Sequence, residues 1–353
     1  MKFIVFTNWD ERFLEGLDPS VIEYVSGRLS SDHVGSSAFP FEVFGKRAGK
    51  KQLEKHVKKL HARKIRFNYL LDGHCTGNRE YSWKGNEAIF NTIKWISDIG
   101  VDAVTVSMPH LVQVLRENFP KLNIGFGDTR VICEIAPFKY YKQQGAKWLI
   151  LNPATNRNFK LLKALASLDV SEMWLTLNSG CLFSCPFGFD HDNFLSHASN
   201  FTAGPKTTDY FHANCFSVFL KDTRQLMRSP WIRPEDMILY ENIGFKKFII
   251  YPNSPETKIY LNIINAYKNR CFEGNFVELL SVMGRPFKAV KINNRDLDEF
   301  LPGFIEKSPD CSELFCDECG YCDLWLKECL RIDLIQKRRL IRKYERIVER
   351  MGI

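Results

Sequence analysis

The sequence predicts an α/β fold, a (β/α)8 TIM-like barrel with a Cys-rich C-terminal extension ending in a helix. Three observations predict it. Short apolar, β-rich runs alternate with amphipathic helical patterns, as in parallel βαβ units. Eight such runs occur before residue 252. No glycine-rich phosphate loop follows the first run, which leaves the open doubly wound sheet as second choice.

Phe3 to Thr7 reads as a buried first strand, and the second is placed near Val34 to Phe44. The others are Ile65 to Leu71, Ala103 to Ser107, Asn123 to Gly127, Trp148 to Asn152, Met173 to Asn178 and Lys247 to Tyr251. Helical periodicity fills the intervals at Lys50 to Ala62, Glu87 to Ile99, His110 to Phe119, Asn158 to Ala166, Pro234 to Ile243 and Lys258 to Asn269. Eight strands with helices between them suit a barrel of ~250 residues with insertions. The seventh strand is followed by Ser179 to Pro230, rich in Cys, Phe, His, Asn and Gly. In a barrel this is a long loop over the catalytic face, and loops of that length are usually functional. After Asn275 the pattern ends. A short irregular segment leads to a cysteine-dense patch, Cys311 to Cys329, and then to a charged helix, Leu330 to Met351. The expected domains are therefore a barrel over residues 1–290, with the long loop 179–230, and an extension over 291–353.

The composition excludes whole function classes. The chain of 353 residues is 45% hydrophobic and 25% charged, an ordinary globular profile that rules out a disordered or collagen-like chain. No apolar run approaches the ~18 residues that span a bilayer. The stretch Phe3 to Phe6 is interrupted by Asn8, Asp10, Glu11 and Arg12 before a signal-peptide core can form, so a cytoplasmic location is expected. Lys and Arg number 49 against 41 Asp and Glu, but residues 331–353 hold eight basic and three acidic side chains. The body is nearly balanced, which weakens any nucleic-acid argument from overall basicity.

Eleven cysteines without an export signal favour metal ligation or redox chemistry over a disulfide framework. Cys181 and Cys185 follow the seventh strand at once, Cys215 lies later in the same loop, and Cys75 follows the third strand by four residues. Residues just after strand ends converge on the carboxyl-terminal face of a barrel, so these four are grouped. Cys133 and Cys271 are expected to point away from it. Such thiolates hold zinc or a [4Fe-4S] cluster; the Cx3C spacing with two remote partners favours the cluster. The plain alternative is buried structural cysteine. A second set is Cys311, Cys316, Cys319 and Cys322, whose CxxCxxC core is similar to runs that wrap one cubane, with structural zinc as the alternative and Cys329 as the odd one out.

Several stretches bear a likeness to a known family. They are Leu177-Asn178-Ser-Gly-Cys181-Leu-Phe-Ser-Cys185-Pro186, His212-Ala-Asn-Cys215, Ser229-Pro-Trp-Ile-Arg-Pro-Glu-Asp236 with Tyr240 and Gly244, and Gly274-Asn275. Upstream are Phe67-Asn-Tyr-Leu-Leu-Asp-Gly-His-Cys75 and Gly100-Val-Asp-Ala-Val-Thr-Val-Ser107. Over roughly residues 30 to 280 the chain resembles the peptidase U32 family, most specifically in the SPWIRPED segment. The family was named for a collagenase-like protease activity, whereas its better understood relatives are iron-sulfur proteins of oxygen-independent hydroxylation. Those act on ubiquinone precursors or on bases of transfer and ribosomal RNA, with prephenate as an oxygen source in some. The resemblance implies a barrel holding a [4Fe-4S] cluster through four Cys, the grouping reached above. The chain departs from the family at Phe248-Ile-Ile-Tyr-Pro-Asn-Ser254, where a Gly-Arg pair is expected, and in its Cys-dense tail.

No Ser nucleophile elbow, HExxH helix or CxxCH element is present. Proteolysis needs an activated nucleophile or a metal-bound water, and an all-Cys cubane supplies neither. A thiolate enzyme would pair an unligated Cys with His191 or His212. Arg157 after the sixth strand, and Arg233 with Glu235 before the eighth, are candidates for anion recognition or substrate positioning; helix-terminal stabilisation and surface ion pairing are the plain alternatives. His191 and His212 are candidate proton carriers. The basic run Lys337 to Lys343 is a solvated helix face or a handle for RNA. The function read from these features is an iron-sulfur oxidoreductase, most simply an oxygen-independent hydroxylase of a small organic or peptide-borne group. A U32-type peptidase and an RNA-modification factor are the alternatives. Expected partners are that substrate and an electron-transfer or related U32-type protein, with RNA less favoured.

Overall fold

Eight parallel strands close into a barrel in sequential order, β1 (Lys2–Phe6), β2 (Ile22–Gly27), β3 (Arg66–Leu71), β4 (Ala103–Val106), β5 (Asn123–Phe126), β6 (Trp148–Ile150), β7 (Met173–Thr176) and β8 (Lys247–Ile250). The computed structural model describes residues 1–37, 48–127, 134–200, 209–281, 289–306, 311 and 316–350. Closure is made by β1 on β8, with Lys2 opposite Lys247 and Val5 opposite Ile250. Side-chain alternation divides each strand between two cores. Along β1, Phe3 and Val5 enter the layer between sheet and helices, whereas Ile4 and Phe6 fill the barrel. Each such side chain, fully buried, contributes roughly 1.5–3 kcal/mol.

Aromatic rings close the amino-terminal end of the barrel. Trp148 and Trp174 stack with centroids 4.5 Å apart, Tyr24 tilts against both, and the Arg66 guanidinium lies 4.4 Å over the Tyr24 ring. Gly125 on β5 makes room for this floor, because a Cβ there would lie 2.1 Å from the Trp148 indole nitrogen. Above the floor the lining turns polar: the Asn68 amide donates to Ser26 Oγ at 3.0 Å and to Thr105 Oγ1 at 2.9 Å.

The second strand is the main correction to the sequence reading. It lies at Ile22–Gly27, not near Val34 to Phe44. Glu23 and Ser26 break its apolar run because Glu23 meets Arg66 and Lys247, while Ser26 belongs to the polar lining. Val34 sits instead in a turn in which Asp32 Oδ1 accepts from the Val34 and Gly35 amides, and residues 38–44 lie outside the described ones. The stretch after β7 is also less loop-like than expected, for it contains helices Gly188–Ala198, Tyr210–Lys221 and Arg224–Arg228.

The C-terminal segment wraps back over this insertion. Strand β9 (Val290–Ile292) pairs antiparallel with β10 (Leu330–Ile332), so the final helix begins at Leu334, not Leu330. Asp333 caps it by accepting from the Ile335 and Gln336 amides, and its Tyr344 stacks on Phe216 of the Tyr210–Lys221 helix. Among the described residues, no helix is long and apolar enough to cross a membrane.

Candidate active site at the carboxyl ends of the strands

A cavity of about 400 Å³ opens at the carboxyl-terminal end of the barrel, where the strand-to-helix loops of this architecture converge. Its deep wall is the polar lining with Leu70, Thr176 and Ile249, and its rim carries Asp72, Tyr251, Cys181, Cys185, His191 and His212.

Asn178, just beyond β7, fixes the cysteine loop. Its amide donates to the carbonyls of Tyr251 and Leu279, at 2.7 and 2.9 Å, and its Oδ1 accepts from the Tyr251 amide at 2.9 Å. Ser281 Oγ accepts from the Gly180 amide, and Ser229 Oγ donates to the Cys181 carbonyl at 2.7 Å. Between the two cysteines, Ser184 is held in the left-handed region at φ 49°, strain of order 1–3 kcal/mol that clusters at functional sites.

The Tyr210–Lys221 helix brings a second set of groups. Asp209 caps it by accepting from the His212 amide at 2.8 Å, and Asp209 Oδ2 meets His191 Nε2 at 3.2 Å. Burial works against the Asp209 carboxylate, but hydrogen bonding and charge from His191 and His212 hold it below the usual range. His212 is lowered by burial, and its Nε2 is buried with no hydrogen-bond partner among the described residues. One turn on, the Cys215 thiol is pushed well above its ordinary value by burial and then by the neighbouring Cys181 and Cys185. Asp72 is raised by burial, with Ser36, Arg28 and His74 opposing, and its buried Oδ1 has no partner among the described residues. Tyr251 stacks on Phe6 and is raised by burial and by Asp72 and Cys181.

The candidates read from the sequence thus separate into several places. Cys181, Cys185, His191 and His212 line the cavity, with Cys215 close to the first two. Cys75 lies on the loop after β3, its Sγ accepting from the Gly77 amide while the adjacent His74 amide donates to Ser196 of the Gly188–Ala198 helix. Arg157, Arg233 and Glu235 are not at the cavity wall. Arg157 is buried behind the loop, bonded to the carbonyls of Met227 and Ser229. Arg233 is 2% exposed and clamps Asp236 through two bonds of 2.7 and 2.9 Å, with Asp298 at 2.9 Å. Glu235 Oε1 accepts from the Phe272 amide and from Asn294. These two therefore fasten the segment after the barrel, where substrate positioning was expected. The tail cysteines form a separate group, and Cys329 is outside it, donating to the Asp296 carbonyl. Cys271 is exposed, and Cys133 lies outside the described residues. Among the described residues, no three His, Cys, Asp or Glu side chains converge closely enough to hold a single metal ion.

Asp72, Asn178, Ser229 and Tyr251 were missed as site residues. The available signal was position, since Asp72, Asn178 and Tyr251 stand one or two residues beyond the ends of β3, β7 and β8.

No family model matches the chain. It is 27% identical over 280 residues to the protein of Methanocaldococcus jannaschii described as uncharacterized protease MJ1657, covering 79% of this chain and 82% of that protein. The structure of the U32 peptidase Mk0906 superposes with a TM-score of 0.56 at 19% identity, over 71% of this chain and 92% of that one.

Proposed function

From assignment to the U32 peptidase family, which these two likenesses support, we propose that the chain is an iron-sulfur enzyme performing redox chemistry, most simply oxygen-independent hydroxylation, on a small organic or peptide-borne group. The observation that carries this reading is a floored cavity that meets Cys181 and Cys185 at its wall, with Cys215 beside them. The donor set fits a cluster in kind. The Cys215 thiol, buried beside Cys181 and Cys185, resists losing its proton, a cationic core would offset that penalty, and Cys75 would be the fourth ligand. A cubane also spreads its ligands over the corners of a cluster, wider than the shell of a single ion. When bound, the cluster supplies an electron donor or acceptor beside the cavity. The chain's own groups do the rest: Asp72 Oδ1 and His212 Nε2 are unpartnered atoms available to a ligand, Asp209 orients His191, and the aromatic floor excludes water from below.

A hydrolase is the second reading, favoured by the description of one relative as a protease and of the other as a peptidase. Against it, a Cys215 thiol held well above its ordinary value is a poor nucleophile, and a floored cavity suits a small group better than an extended backbone.

Anaerobically prepared protein should contain iron and acid-labile sulfide and absorb broadly near roughly 400 nm. Cys181→Ala or Cys185→Ala should lose the barrel's share, whereas Cys271→Ala should not. Stoichiometric zinc without iron overturns the reading, and undiminished peptide cleavage by metal-free protein puts the hydrolase first.

A further inference from the structure

We propose that Cys311, Cys316, Cys319 and Cys322 form a second, tetrathiolate metal centre, and that Arg157 of the barrel is its buried counter-cation. The backbone gathers the thiols. Cys316–Cys319 is one short helix and Tyr321–Cys329 the next, joined at Gly320 with φ 63°, a left-handed turn open to glycine at little cost. That turn sets Cys322 back toward Cys316 and Cys319. All four thiols are close enough to interact: Cys311 senses Cys322, Cys316 and Cys319, and Cys322 senses Cys316 and Cys319.

Arg157 is the independent observation. It is 3% exposed, and its guanidinium lies 4.7, 5.0 and 4.9 Å from the rings of Trp231, Phe300 and Phe304. Its hydrogen bonds go to the carbonyls of Met227 and Ser229, and among the described residues its buried Nε has no partner. Among the described residues it makes no ion pair. Asp236 is near enough to feel its charge, but both Asp236 oxygens are taken by Arg233. A buried cation with no anion is costly by several kcal/mol. Phe300, under its guanidinium, stacks on Tyr321, the residue before Cys322, and Cys311 and Cys322 pack on the same core, so the thiols it faces are those two. Thiols too widely set for a single ion suit the corners of a cubane, and four thiolates around a resting cubane are net dianionic, which supplies a partner. Arg228 adds a second cation, bound to Asp317 at 2.9 Å and Asp323 at 3.3 Å on the two cysteine helices.

The arrangement also links this centre to the cavity. The Ser229 carbonyl accepts from Arg157 at 2.6 Å, and the Ser229 hydroxyl donates to the Cys181 carbonyl. One serine thus separates the arginine of the tail site from the backbone of the cavity cysteine. The inference does not need the barrel reading, and its test keeps the two apart.

Full-length protein prepared anaerobically is assayed for iron, sulfide and zinc as wild type, Cys319→Ala/Cys322→Ala and Cys181→Ala/Cys185→Ala. The tail variant should lose one cluster's iron and sulfide, and loss of one equivalent of zinc with all iron retained overturns the cluster. The loop variant should keep that centre whatever happens at the barrel. Arg157→Met, which keeps the box filled but removes the charge, should surrender the tail metal to a chelator about tenfold faster, and Arg157→Lys should resist more nearly like wild type. A tail variant with wild-type metal content overturns the site. Wild-type chelator resistance in Arg157→Met overturns the role of the arginine; should that variant not accumulate, rapid metal loss in Arg157→Lys does so.

Discussion

His56, on the inner face of the Lys50–Ala62 helix, is 6% exposed, with its Nε2 2.8 Å from Thr7 Oγ1 and its ring against Trp9 and Phe67. Burial, helped by Lys59 and opposed by Glu11, lowers it from 6.5 to about 4. The unfolded chain therefore takes up the proton first. The stability that the neutral ring confers is whole above about pH 6.5 and drains away as pH falls toward 4, a span worth roughly 3 kcal/mol. His56→Gln keeps a partner for Thr7 without titrating. Urea denaturation at pH 7 and pH 4.5 should show the variant losing about 2 kcal/mol less than wild type between the two, and identical losses would rule out this origin. Residues of this kind were opaque in the sequence. The place of Cys181 and Cys185 at the cavity was legible because they follow β7 at once. Arg157, Arg233 and Glu235 were misplaced because a guanidinium beside a strand end serves a substrate or a buried clamp equally well, and only the far partners decide. Asn178 was invisible as a staple because its partners lie 73 and 101 residues further on.

Among the elements, strands β1 and β3 through β8 could be read because each is a short apolar run. Strand β2 could not, since a barrel strand with a polar inner residue loses the apolar signal that marks it, while Val34 beyond it imitates that signal. Gly125 tests how tightly an element is tied to the core beneath it. Gly125→Ala drives a methyl group into the Trp148 indole, and the resulting overpacking should cost about 1–3 kcal/mol in chemical denaturation. A change under about 0.5 kcal/mol would mean that the tryptophan floor shifts freely. The helices within 179–230 were hidden for another reason: their faces pack on the C-terminal segment, as Phe216 does on Tyr344, and not on the sheet alone.

At the scale of the molecule, the C-terminal segment acts as a strap. Phe300 packs on Trp231 from the barrel side and on Tyr321 and Trp325 from its own, while Arg228 and Lys221 reach across to Asp317, Asp323 and Glu345. A chain ending at residue 293 would bare Trp231 and the cation of Arg157 together. Its thermal midpoint should fall by several degrees or more, since a loss of 1 kcal/mol already shifts a chain of this size by roughly 2 °C. An unchanged midpoint would show that the strap adds nothing to the barrel.

The pairing of Lys2 with Lys247 also sets a schedule for biosynthesis. A ribosome adding roughly 5–20 residues each second needs on the order of 10–50 s to travel between those two lysines. Throughout that interval one edge of β1 has no neighbour, and the nascent chain carries an open template for wrong pairing. Cys75, Cys181, Cys185 and Cys215 all emerge before the closing strand, Cys311 and its companions only after it. The order of emergence therefore separates the two thiol groups in time as the fold separates them in space.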